Sequence, residues 1–363
     1  MSALSIVLLV VGIMALVVGA EWLVRGSARL AARTGLSTVV IGLTVVAFGT
    51  SAPELAVSVG DVIRGGDEAG AIALGNVVGS NIANVLLALG LAAAIGGALV
   101  VAPRIIRIDV PIMIGVSVLV LFMALDERIG RVEGLILVGA LVVYLAWTVI
   151  AAKRGDLPAG TDELGDVLAP EQQRSVWSDL GFVAAGLVML VVGSQALVKA
   201  ASDMAADLGV SDLVIGLTVV AIGTSLPEVA TSVLAAMRGE RDLAVGNAIG
   251  SNLFNLLAVL GITGAVAPDA IPVPQGAIQV DFPVMIVVAV ACLPIFTNGH
   301  VLRRWEGAVF FAFYAAYLTW LVLDAADHSV RDDYGAAMLF FVVPLTAITL
   351  TVVGYRSRPS ARI

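Results

Sequence analysis

Charge is scarce in this chain. Only 13% of its 363 residues are Asp, Glu, Lys or Arg, 60% are hydrophobic, and mean hydropathy is +1.03. A soluble domain of this length needs far more polar surface, so the composition specifies a polytopic membrane protein. The single cysteine, Cys292, excludes an internal disulfide, and its apolar neighbours predict a packing role. Two histidines, His300 and His328, are too few for a histidine-rich zinc site. The net charge of −8, with no basic patch carrying interleaved aromatics, argues against nucleic acid as a partner. The sequence lacks a His-Glu pair of metalloprotease type, a Gly-rich phosphate loop and a nucleophilic serine motif. Nothing in it points to an enzyme or to a bound cofactor.

What is plentiful is apolar sequence. A spanning helix needs roughly 20 apolar residues. That rule predicts eleven spans, near 3–24, 36–62, 70–99, 108–125, 131–152, 178–198, 210–237, 242–266, 280–297, 303–324 and 335–354. The first has no basic leader and runs on into "EWLVRGSARLAAR", so it reads as a retained helix in the lipid bilayer and not as a cleaved signal. Lys and Arg set the orientation. With the N-terminus outside, only Arg64, Arg128, Arg131, Lys199 and Arg331 face out, and the other fifteen basic residues are cytoplasmic. An eleventh span then delivers the basic tail "YRSRPSARI" to the cytoplasm.

The chain is written twice. "GLTVVAFGTSAPELAVSV" at 42–59 returns as "GLTVVAIGTSLPEVATSV" at 216–233, with fourteen of eighteen positions identical at an offset of 174. "GNVVGSNIANVLLALG" at 75–90 returns as "GNAIGSNLFNLLAVLG" at 246–261. Later echoes extend the repeat over about 5–151 and 179–324, five predicted spans in each copy. An odd number makes the second copy enter the membrane upside down, as in many secondary transporters. The predicted fold is therefore an all-α polytopic membrane protein. Two inverted-topology repeats of five transmembrane helices (1–152 and 178–324) flank a cytoplasmic linker at 153–177, and residues 325–363 add an extra C-terminal transmembrane helix and tail. The linker acids lack the spacing of a calcium loop.

A structural duplication would preserve volume and pattern, yet the best-matched stretches here are polar. Proline inside a helix removes a hydrogen bond and clashes with the carbonyl four residues back. Pro53 and Pro227, with Gly49 and Gly223 at those carbonyls, predict that each span breaks into two half-helices with exposed carbonyls at the break. Such backbone is tolerated at membrane depth only inside protein or beside water. Glu54 and Glu228 fall in the first turn after each break, where a helix N-terminus favours negative charge. Helical spacing puts Thr50, Glu54 and Ser58 on one face, and likewise Thr224, Glu228 and Ser232. Asn76, Ser80 and Asn84 form a second stripe, mirrored by Asn247, Ser251 and Asn255. Gly75 with Gly79, and Gly246 with Gly250, predict notches for close helix approach.

Every candidate ligand in these stripes is oxygen, the choice of hard cations, and calcium accepts irregular oxygen cages. One divalent ion or two monovalent ions neutralise two carboxylates equally well, which is a physical basis for exchange. Asp109 and Asp281 correspond but sit near span ends before Pro111 and Pro283, and read as interfacial caps. Glu133 and Glu306 read as first-turn acids. Glu21 is matched by Gln195, so it stands outside the paired site.

"GTSAPE" and "GTSLPE", each followed by "GNVVGSNIAN" or "GNAIGSNLFN", resemble the two alpha-repeats (42–90 and 216–261) of the calcium/cation antiporter superfamily, and most of all its prokaryotic sodium/calcium exchanger branch. The resemblance implies a core of spans 2, 3, 7 and 8, with spans 1 and 6 sliding across it in alternating access, and a location in a prokaryotic plasma (inner) membrane. It implies calcium held by Glu54 and Glu228 with the carbonyls of Thr50 and Thr224. Sodium would use those glutamates with Ser51, Ser225, Ser80, Ser251 and the carbonyls of Ala47 and Ala221. Asn84 and Asn255 fill the remaining family position, where some relatives place Asp at one site. On this reading the transported ions are calcium and sodium. A proton/calcium or other cation antiporter on the same scaffold, and a cation channel, are the alternatives.

Overall fold

The computed structural model describes residues 3–64, 70–154, 175–207 and 221–325, together with Gly335. The predicted span at 335–354 apart from Gly335, most of the linker, and residues 210–220 of the predicted span at 210–237 lie outside these residues. Eight long apolar helices are present among the described residues: α1 (Ala3–Thr34), α4 (Ile72–Gly96), α5 (Ile105–Asp126), α6 (Arg131–Arg154), α7 (Val176–Asp207), α10 (Arg241–Val266), α11 (Ala277–Thr297) and α12 (Arg304–Ala325). A bent pair, α2 (Thr38–Thr50) and α3 (Ala52–Arg64), makes one more candidate span with a 41° bend. Its counterparts in the second half are the short α8 (Ala221–Thr224) and α9 (Leu226–Met237).

The breaks fall where the prolines place them. Ser51 (φ −82°, ψ 3°) and Ser225 (φ −87°, ψ 1°) have left the helical region. Each proline then sits in the first turn of the following helix, where its missing N–H costs nothing. α4 and α10 form the centre: 78% and 83% of their spanning windows are buried, against 22–39% for the other six helices.

Corresponding helices of the two halves run antiparallel. Strand β1 (Leu99–Val100), before α5, pairs with β4 (Val301–Leu302), after α11, while β2 (Arg128–Ile129), after α5, pairs with β3 (Ile271–Pro272), before α11. The start of α5 therefore lies beside the end of α11, and the reverse. The left-handed residues Glu127 (φ 63°) and His300 (φ 57°) lead into β2 and β4 at equivalent positions. α1 and α7 cross in the same sense: a Cβ on Gly12 would lie 2.9 Å from the Gly193 carbonyl, and one on Gly186 only 2.7 Å from that of Gly19. These glycines let two backbones touch where lipid supplies no hydrophobic drive. Gly186→Val must push the pair apart; overpacking of this kind costs about 1–3 kcal/mol. A lowered thermal midpoint of the detergent-solubilised variant, relative to wild type, is the expected result.

Four expectations change. α1 continues ten residues past the predicted end at 24, because Arg29 and Arg33 turn inward to the buried Asp179 of α7 (Arg33 Nε to Oδ2 2.5 Å) and Arg29 stacks over Phe182 at 4.9 Å. Asp109 is no cap. α5 starts at Ile105, so Asp109 lies inside the helix, where it accepts from Tyr144 (2.9 Å) and Arg104 (3.2 Å), with Arg104 also donating to Thr148. Asp281 likewise accepts from Tyr317 at 3.1 Å. Of the glycine notches, Gly246 and Gly250 pack against the α2 backbone, whereas a Cβ on Gly75 or Gly79 meets nothing within 4 Å among the described residues. Elsewhere the local reading holds: Glu133 and Glu306 accept the backbone N–H groups of Gly130 and Arg303, and Cys292 is buried and free.

Candidate ion site

Each half lends its broken helix to the other half's polar stripe. Thr50, the last residue of α2, bonds across to α10 through Asn247 Oδ1 and Ser251 Oγ, both at 3.2 Å. In the opposite direction Ser225, at the second break, donates to Ser80 of α4 at 3.2 Å. These cross-links bring the two glutamates near each other. Glu54 faces Ser80 and Glu228, and Glu228 faces Thr50, Ser51 and Ser251. Both carboxylates are fully buried, and none of their four oxygens has a hydrogen-bond partner among the described residues.

A buried carboxylate normally has its lone pairs occupied. Here two such carboxylates lie near each other beside hydroxyls of Ser80, Thr50, Ser51 and Ser251. No group of three or more His, Cys, Asp or Glu occurs among the described residues.

Two asparagines brace the breaks. Asn76 Nδ2 donates to the Glu54 carbonyl (3.1 Å) and Ser58 Oγ (3.0 Å); Asn247 Nδ2 does the same to the Glu228 carbonyl (3.4 Å) and Ser232 Oγ (3.0 Å). Both lie on the polar stripes of the sequence, and here their amide nitrogens donate to the breaks. Asn84 and Asn255 are buried and, among the described residues, make no hydrogen bond to either carboxylate and leave both amide atoms unpartnered. Each opens a π-helical turn, Asn84–Leu89 and Asn255–Val259. Such widened turns gather at functional sites. The Ser51 hydroxyl is buried and has no hydrogen-bond partner among the described residues. The Ala47 carbonyl accepts the Ser51 N–H at 3.0 Å and the Thr50 hydroxyl at 3.4 Å. Ala221 and Thr224 bound α8 at the second break.

The family model for sodium/calcium exchanger protein matches residues 4–150 and 178–323. The chain belongs to the sodium/calcium exchanger family. Sodium/calcium exchanger MaX1 of Methanosarcina acetivorans is 31% identical over 302 residues, spanning 74% of this chain and 85% of that protein. Inner membrane protein YrbG of Escherichia coli is 36% identical over 244 residues, or 67% and 73% of the two chains. Among solved structures, the sodium-calcium exchanger NCX_Mj superposes with a TM-score of 0.73 at 30% identity, over 88% of this chain and 99% of that one. As an exchanger the chain is a multi-pass membrane antiporter of cations and not an enzyme.

Proposed function

We propose that the chain exchanges sodium for calcium by alternating access at a site built on Glu54 and Glu228. The observation that carries this reading is the pair of buried carboxylates, one from each broken span, whose four oxygens have no hydrogen-bond partner among the described residues. A charged side chain at mid-bilayer costs at least about 2.5–3.5 kcal/mol. The bare pair is therefore the least favourable form to carry across, and loading with one calcium or with sodium ions removes the charge. That preference makes movement conditional on a bound ion, which is what coupled exchange requires.

The carbonyls of Thr50 and Thr224 complete the calcium shell. Sodium uses Ser51, Ser225, Ser80, Ser251 and the carbonyls of Ala47 and Ala221, and Asn84 and Asn255 line the remaining positions. The antiparallel α1–α7 pair is the element that slides, because glycine contacts bind it into one unit. The two copies, 1–152 and 178–324, form inverted five-span repeats. The positive-inside bias supports an outer N-terminus and a cytoplasmic tail, and likeness to MaX1 and YrbG supports sodium and calcium as the ions and a prokaryotic inner membrane as the place.

Radioactive calcium uptake into proteoliposomes under sodium, potassium and proton gradients tests this directly. Uptake driven by the sodium gradient alone is the expected result. Uptake driven by a pH gradient in sodium-free buffer would replace sodium with protons, and calcium current without any counter-ion would make the chain a channel.

A further inference from the structure

Proline withholds the N–H that would bond the carbonyl four residues back. Two such carbonyls, Gly49 and Gly223, lie at the breaks beside the glutamates, and the long crossing helices do not treat them alike. On α7, the buried Ser194 donates its hydroxyl to the Gly223 carbonyl. The matching position on α1, 174 residues earlier, is Ala20, which has no hydroxyl to offer Gly49. Both glycines pack on apolar side chains of α7, Gly49 on Leu187 and Gly223 on Val198, so the difference between them is the hydroxyl alone. The same one-sidedness recurs at the far end of the second broken span. Glu21 of α1 pairs with Arg238, the residue just after α9, at 2.6 Å, whereas the matching residues are Gln195 and Arg64, which cannot form an ion pair.

We propose that Ser194 is a positioning residue for ion binding: from α7 it orients the Gly223–Thr224 peptide, and through it the backbone that leads into Thr224 and Glu228. The inference rests on the paired-glutamate site proposed above. The donor belongs to α7 and the acceptor to the broken span, so displacement of α7 along the break must give up this bond. The first half has no equivalent bond from α1 to give up. Two half-sites whose ligands match residue for residue are thus held unequally, and the second is tied to the position of a crossing helix.

The test uses the full-length protein in two measurements: calcium dependence of sodium-driven uptake in proteoliposomes, and calcium-dependent thermal stabilisation in detergent. Ser194→Ala is expected to raise the calcium concentration for half-maximal effect roughly fivefold in both, the worth of one neutral hydrogen bond of about 1 kcal/mol, with maximal uptake changed less. Ser194→Thr, which keeps the hydroxyl, restores the wild-type value. Ser194→Gly removes the same hydroxyl and decides the matter if alanine lowers the yield of folded protein. Half-maximal calcium within twofold of wild type in the deletion variants, or a loss confined to maximal rate, overturns the proposal. Wild-type protein that binds calcium with this serine dependence but shows no exchange would leave the positioning role standing and remove the exchange function instead.

Discussion

Glu228→Gln is expected to abolish sodium-driven calcium accumulation, and Glu54→Gln to do the same, with neither lowering the thermal midpoint. The first half of that expectation is electrostatic. Two unit charges about 4 Å apart interact by roughly 4 kcal/mol at an effective dielectric of 20, and a divalent ion in direct contact with the carboxylate stands to lose more. Some 4 kcal/mol is already close to a thousandfold in binding. The second half follows from the hydrogen bonds. All four glutamate oxygens lack a protein partner among the described residues, so an isosteric amide breaks no bond that holds the fold. It also removes a charge whose burial is unfavourable. A structural carboxylate behaves in the opposite way: both oxygens of Asp109 are engaged, by Tyr144 and Arg104, and there a neutral substitute gives up real bonds. Calcium flux and thermal midpoint measured on the same preparations separate the two cases. Full flux in either glutamine variant, or a collapse of stability that accounts for the lost flux, would remove these glutamates from the transport site.

The site was largely legible because its signals are local and occur twice. Pro53 and Pro227 announce the breaks through covalent geometry, and the spacing of Thr50, Glu54 and Ser58 needs only the helical period. What stayed hidden depends on long-range partners or on small departures from the ideal helix. Asp109 looks like a cap when α5 is started near 108; a π-helical turn over Ile105–Asp109 moves it inside, where Tyr144 waits 35 residues away. The charged stretch after residue 24 looked like the end of a span until Asp179 supplied a buried partner for Arg29 and Arg33. Widened turns at Asn84 and Asn255 leave no mark in hydropathy, since Leu, Val and Ala fill α and π turns alike. Ser194 was in plain view as a mismatch with Ala20, but an isolated serine in a membrane helix says nothing until the carbonyl it meets is known.

The other large effect is expected at a residue that bears no charge. Asn247 is fully buried on α10 and joins three parts of the site at once. Its amide nitrogen holds the Glu228 carbonyl (3.4 Å) and Ser232 (3.0 Å) of α9, and its oxygen accepts the hydroxyl of Thr50 from the other half (3.2 Å). Asn247→Leu fits the volume and keeps the helix, yet it deprives these buried groups of a partner, at about 1–3 kcal/mol for each one left unsatisfied. Thr50 retains Ser251 and the Ala47 carbonyl, and Ser232 retains the Ala244 carbonyl, which limits the damage to the fold. The geometry suffers more than the stability, because Asn247 is the side chain that references Glu228 of one half to Thr50 of the other. Exchange is therefore expected to fall at least about tenfold, with a thermal midpoint only a few degrees lower, in line with an order of 1 kcal/mol. Asn247→Asp keeps the acceptor for Thr50 but loses the two donated bonds and adds an anion beside Glu228, so it is not expected to rescue. Sodium-driven uptake and thermal midpoints of the two variants check this. Wild-type exchange in Asn247→Leu would mean that the broken spans hold their own shape, and that the contact between halves is packing without consequence for transport.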